Sequence, residues 1–256
     1  MPQRTIYGQA SKLSRTMHDI RFDEIHDEFV VANPFAQAIL TFRGGTNGQE
    51  GPIRIIQGPR TQAGASRVDV DPVHNEIFMP DGNRILVYPR EANGDVAPIR
   101  IIEGPDTQLR RADSLAVDPV NNVIAVGFNK SQERDPDGSI LIFNRTDNGN
   151  VKPKAVIHGP KSGIIRINQI AVYPPKKLIV AAMPGDHDAM EPPQAFLGIW
   201  TYDDNGDIAP KWKIPVGPKT TLKKPFGVTL NPKNKEVIIS DMRLNGVLTF
   251  SVPEIF

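Results

Sequence analysis

Cysteine is absent from the 256 residues. That excludes disulfides, thiol nucleophiles and thiolate-ligated metals. No apolar run approaches the ~20 residues a membrane helix needs. No early stretch joins a charged head to an apolar signal core. The expectation is a soluble chain without a membrane span or signal peptide. An excess of one charge is also missing, since 30 Lys+Arg face 29 Asp+Glu. Dedicated nucleic-acid binders carry a basic surplus. The second half is mildly basic, with Lys219, Lys223 and Lys224, but lacks the interleaved aromatics of a stacking platform. Nucleic acid is therefore an unfavoured partner. No segment shows helical periodicity beyond two turns, and no heptad advertises an oligomer. What the chain does have is 24 Pro and 21 Gly, which suit frequent turns.

These residues recur in order. Asn93-Gly94 precedes Pro98-Ile99-Arg100-Ile101-Ile102-Glu103-Gly104-Pro105, and the phrase has counterparts starting at Asn47-Gly48, Asn148-Gly149 and Asn205-Gly206. The Gly-Pro pairs, at Gly58, Gly104, Gly159 and Gly217, lie 46, 55 and 58 residues apart. A second phrase alternates apolar residues up to an acidic or polar residue, turns, and runs on rich in β-branched residues. It covers residues 20–32, 68–79, 115–126, 170–181 and 228–240. Asp71-Pro72, Asp118-Pro119, Tyr173-Pro174 and Asn231-Pro232 hold matching places, with Asp23-Glu24 in the first copy. An Asp or Asn side chain caps such a turn and Pro presets its φ. Each unit thus reads as four short strands, A to D, with Asn-Gly between C and D as a hairpin signal. Four antiparallel strands at this period mean propeller blades.

Five A–B phrases stand against four complete D phrases. The missing one is at the N-terminus, where Pro2-Gln3-Arg4-Thr5-Ile6-Tyr7-Gly8 matches Pro52-Ile53-Arg54-Ile55-Ile56-Gln57-Gly58. The expectation is one all-β domain over residues 1–256. It is a five-bladed β-propeller of four-stranded antiparallel blades, closed by residues 2–8 completing the C-terminal blade beside 246–251.

The phrases Leu115-Ala116-Val117-Asp118-Pro119-Val120-Asn121-Asn122 and Val228-Thr229-Leu230-Asn231-Pro232 resemble the NHL and YVTN class of β-propeller repeats. The resemblance spans essentially the whole chain and implies the propeller architecture. Propellers of that class include protein- and RNA-binding modules, lactonase- and lyase-like enzymes, and surface proteins.

Propeller topology puts the A–B and C–D turns on one face, where they are short and uniform. The residues leading into strand A and the B–C loops share the other, irregular face, and irregular loops on a rigid scaffold carry function. Two B–C loops are enlarged, at residues 128–139 and 183–194. The strand-A lead-ins are His18-Asp19, Ser66-Arg67, Asp113-Ser114, Asn168-Gln169 and Phe226-Gly227. Aligned by repeat, they form a polar set at one channel mouth, suited to a small polar molecule or a protein partner. Candidate ligand-binding residues are His18, Asp19, Ser66, Arg67, Asp113, Ser114, Asn168, Gln169 and Phe226. The rival reading is a hydrolase or lyase with His18, Asp113 and His187 as acid–base candidates. A passive interaction scaffold is a third. Asp19, Asp113, Asn168 and Asp186 offer hard oxygen ligands for Ca²⁺ or another divalent cation. Arg21 and Asp69 hold equivalent strand-A positions, which predicts an ion pair between neighbouring blades.

Overall fold

The computed structural model describes residues 2–15, 17–64, 67–129, 138–186 and 189–256. Its regular structure there is 19 strands and six one-turn 3₁₀ segments. The strands make five antiparallel sheets, the five blades of an all-β propeller fold. The chain divides into two compact units.

The first unit spans Met1–Arg110 and Asp147–Val151. One sheet runs β1 (Asp19–Asp23), β2 (Glu28–Asn33), β3 (Ala38–Arg43) and β4 (Arg54–Gln57). The next runs β5 (Asp69–Asp71), β6 (Glu76–Asp81), β7 (Arg84–Pro89) and β8 (Arg100–Glu103). Val30, Ala32, Ile39 and Ile56 of the first sheet pack against Val70, Ile77, Met79, Leu86 and Tyr88 of the second. Burying each such aliphatic side chain contributes about 1.5–3 kcal/mol.

The second unit spans Arg111–Thr146 and Lys152–Phe256. Its sheets are β9 (Ala112–Asp118) to β12 (Ala155–Ile157), through β10 (Val123–Phe128) and β11 (Ser139–Asn144). Then come β13 (Gln169–Tyr173), β14 (Leu178–Met183), β15 (Phe196–Thr201) and β16 (Trp212–Pro215). Last are β17 (Pro225–Asn231), β18 (Glu236–Asp241) and β19 (Gly246–Ser251). β10 and β14 are buried along their whole length, which is why they read as unbroken apolar runs. The last sheet has three strands, and the N-terminal phrase bridges to Gly48.

The Asn-Gly pair corrects one expectation. It does not close a two-residue hairpin, because β3 ends at Arg43 and β4 begins at Arg54. It clamps the D strand of the preceding blade instead. Asn93 Oδ1 accepts the Ile55 N–H at 2.9 Å, the Gly94 N–H donates to the Ile55 carbonyl at 2.6 Å, and Gln57 N–H donates to the Gly94 carbonyl at 3.1 Å. Asp95 Oδ1 then accepts the Arg60 N–H at 2.7 Å, just beyond Gly58-Pro59. The same joint recurs with Asn148-Gly149-Asn150 on Ile101 to Asp106, and with Asn205-Gly206-Asp207 on Val156 to Lys161. The two halves of the repeated phrase therefore bind each other across blades.

The N-terminal phrase behaves as another D strand. Thr5 N–H donates to Asn47 Oδ1 at 2.9 Å, Gly48 N–H to the Thr5 carbonyl at 2.8 Å, and Tyr7 N–H to the Gly48 carbonyl at 2.9 Å. Ile6 makes the parallel bridge with Gly48 that Ile56 makes with Gly94.

The first three A–B turns follow the expected chemistry, whereas Tyr173 gives the fourth no side-chain cap and Asn231 in the fifth donates its amide to Glu236. Asp23, Asp71 and Asp118 are fully buried. Each accepts two backbone N–H groups two and three residues on, as from Val120 at 2.8 Å and Asn121 at 2.9 Å. The second oxygen contacts His26 or His74 Nδ1 at 2.8 Å in the first two turns. In the third it accepts from Asn121 Nδ2 and the Tyr202 hydroxyl.

Candidate functional site

The strand-A lead-ins of the first unit form an ionic knot. Position matters: Asp19 and Arg67 each lie four residues before a turn Asp, and Arg21 and Asp69 two before it. Arg21 Nε donates to Asp69 Oδ1 at 3.1 Å, the pair expected from sequence. Arg21 Nη1 also reaches Asp19 Oδ1 at 2.8 Å, a partner the sequence did not suggest. Asp19 Oδ2 accepts the Val68 N–H of the next sheet at 3.3 Å. Arg67 Nη1 returns the link by donating to the His18 carbonyl at 2.7 Å. Burial pushes the Asp19 carboxyl above its usual value, with Arg21 and Arg67 partly opposing. Burial works against the Arg21 charge, but Asp69 and Asp19 outweigh it and raise its pKa. His18 is exposed, its ring edge-on to Phe35 at 6.4 Å. Ser66 lies outside the described residues.

The second unit shows the same logic with neutral groups. Gln169 occupies the place of Asp19, and its Oε1 accepts the Val228 N–H of the next sheet at 2.8 Å. Asn168 Nδ2 donates to the Phe226 carbonyl at 2.9 Å. Asp113 accepts from Asn129 Nδ2, and Asn129 Oδ1 in turn accepts the Ile167 N–H at 2.9 Å. Ser114 also sits in the Asp19 place. Among the described residues its buried Oγ has no hydrogen-bond partner, serine being shorter than the aspartate or glutamine that bridge there. Strand A is an edge strand of its sheet, so its unpaired N–H groups need other acceptors. Asp19 and Gln169 supply them. Several side chains offered to a ligand on sequence grounds thus tie neighbouring strands together.

Phe226 is only partly buried, and the Arg166 guanidinium stands 5.7 Å from its ring centroid, a cation–π arrangement. Asp186 is exposed, and His187 lies outside the described residues. Among the described residues no three His, Asp or Glu side chains gather closely enough to hold a metal ion. The carboxylate of Asp19 faces arginine, and the Asn168 amide nitrogen is engaged by the Phe226 carbonyl.

The enlarged B–C loop of the fourth blade folds onto the fifth. Glu191 Oε2 receives Lys223 Nζ at 3.1 Å and its Oε1 receives Arg243 Nε at 3.2 Å. Lys224 Nζ donates to the Ala189 carbonyl at 2.6 Å. Hydrogen bonds from Lys223 and Arg243 hold the Glu191 carboxyl below its usual pKa. Beneath them, buried Asp241 accepts the N–H groups of Lys223 and Lys224 on Oδ2 and of Arg243 and Leu244 on Oδ1, at 2.8 to 3.0 Å. Sequence reading flagged the loop and the two lysines separately. It missed Glu191 and Arg243, and also Asp241, which ends β18 as Asn33 and Asp81 end β2 and β6. The third blade's B–C loop lies mostly outside the described residues. The first unit has an open cleft of about 580 Å³ lined by Asp81, Asn83, Arg84, Glu103 and Gly104. There Arg84 is already paired with Asp81 and Gln62. Neither a scan against models of known protein families nor a search of curated proteins finds a match for this sequence.

Proposed function

We propose that this chain is a binding propeller that takes a small polar ligand on the face shared by the strand-A lead-ins and the B–C loops. The contrast between the two faces supports it. The first three A–B turns repeat one aspartate-capped design. On the opposite face every blade differs, and functional groups concentrate on such variable loops of rigid scaffolds. The observation that carries the reading is the Phe226 ring under Arg166, beside the lysine-rich lead-in of the fifth blade. A partly exposed aromatic with a cation over it offers stacking and charge to one ligand.

The test is a melting-temperature screen with carboxylates, phosphates, amines and sugars, on the parent and on Phe226→Ala and Arg166→Ala. A ligand at a hundred times its Kd stabilises by about 2.7 kcal/mol. The expected result is a class of compounds that raises the parent's melting temperature and loses the effect in both variants. No shift with any compound, or shifts that persist in both variants, overturns the reading.

A further inference from the structure

The geometry points to a carboxylate-binding site formed by Lys223, Lys224 and Arg243, in which Glu191 of the same chain sits as an internal stand-in for the ligand. This rests on the reading that the strand-A and B–C face is the binding face, and it names the chemical class that site would take.

Three features distinguish this cluster from scattered surface lysines. First, the cations are held in place from below. Asp241 is 2% exposed, and its two oxygens bind four backbone N–H groups, three of which belong to Lys223, Lys224 and Arg243. One buried carboxylate therefore orients two separate segments, as a preorganised site requires. Second, the occupant is bound through both oxygens: Lys223 takes one and Arg243 the other, at 3.1 and 3.2 Å. The two cations are thus spaced to span a single planar carboxylate. Third, Lys224 is 6% exposed and turns its ammonium to a backbone carbonyl, that of Ala189, in the same loop that supplies Glu191.

The hold of the loop is modest. Exposed ion pairs contribute about 0–1 kcal/mol each, and ordering a longer loop adds little further cost. A tethered group competes at an effective concentration in the millimolar range. A free carboxylate ligand therefore displaces Glu191 only when it binds more tightly than an isolated pair of cations would. The loop acts as a built-in competitor that rejects weak anions. When a ligand displaces Glu191, the contacts to Lys223, Arg243 and Ala189 open together.

The experiment uses citrate as the probe on the full chain, by titration calorimetry at fixed ionic strength, with inorganic phosphate as a second arm. The variants are Glu191→Ala, Glu191→Gln, and Glu191→Ala combined with Lys223→Ala and Arg243→Ala. Circular dichroism confirms folding, since all three side chains reach the surface. The expected result is citrate binding at least tenfold tighter in Glu191→Ala than in the parent, intermediate or equal to it in Glu191→Gln, and lost in the triple variant. Equal affinity in parent and Glu191→Ala, no citrate binding to Glu191→Ala, or binding that survives in the triple variant overturns the proposal. Phosphate binding more tightly than citrate overturns the carboxylate assignment. A failure here alongside screen compounds that still depend on Phe226 and Arg166 removes this inference and leaves the binding face standing.

Discussion

Arg21 is the residue on which the first unit's inner strands most depend. It lies between Asp19 and Asp69, one on its own strand and one on the next sheet. Removing one partner of a buried ionic network costs far more than the network contributes, because the remaining charges stay desolvated. Arg21→Leu is expected to destabilise the protein by roughly 3 kcal/mol, read as a lowered denaturant midpoint. Asp19 behaves differently. Its folded pKa is raised, so the folded protein binds its proton more readily than the unfolded chain does. That contribution makes stability fall as pH rises above the ordinary carboxylate range. An asparagine in its place would keep an acceptor for the Val68 N–H and carry no charge. The melting temperature of Asp19→Asn relative to the parent is expected to be more favourable at pH 7 than at pH 4. A relative melting temperature that worsens from pH 4 to pH 7 contradicts this account of the carboxyl. The Arg21–Asp69 pair was legible because both residues occupy the same repeat position. Asp19's share in it was not, since nothing in local spacing says which carboxylate a long side chain will choose.

At the scale of elements, the joint between successive blades matters more than any one strand. Its geometry leaves no room for a side chain at Gly104, which has φ of +122° and where an added Cβ would lie 2.6 Å from the Asn150 side chain. Gly104→Ala is expected to cost about 1–3 kcal/mol from backbone strain alone, with further loss as the Asn150 contact to the Asp106 N–H opens. Hydrogen exchange at Asp106 should accelerate in the variant, whereas unchanged protection would place the joint's stability elsewhere. The strands themselves were readable from their apolar runs and turn residues. The purpose of Asn-Gly was not. As a dipeptide it signals a tight turn, and only the partner strand of the preceding blade shows that its Asn oxygen and Gly N–H are used across a gap of 38 residues, from Asn93 back to Ile55.

For the molecule as a whole, the N-terminal residues test the repeat logic. Residues 2–8 serve Asn47 and Gly48 as Ile55 serves Asn93 and Gly94. Deleting residues 1–8 removes that service from the first unit and leaves the equivalent joint at Gly206 in the second intact. The expected outcome is faster amide exchange at Gly48, a lower melting temperature, and no change at Gly206. Unchanged exchange at Gly48 would show that the phrase at the N-terminus is not a structural D strand.

Where the strands and turns fall, and how many blades they make, could be read along the chain. Those features depend on φ/ψ preferences and apolar period, which each short segment carries by itself. Which polar groups are already engaged became visible only once the blades were assembled. Asp19 and Gln169 are held by backbone N–H groups of the next blade. Glu191 is held by cations 32 and 52 residues away. A hydrogen bond is set by distance and direction in three dimensions, and residue type along the chain constrains neither.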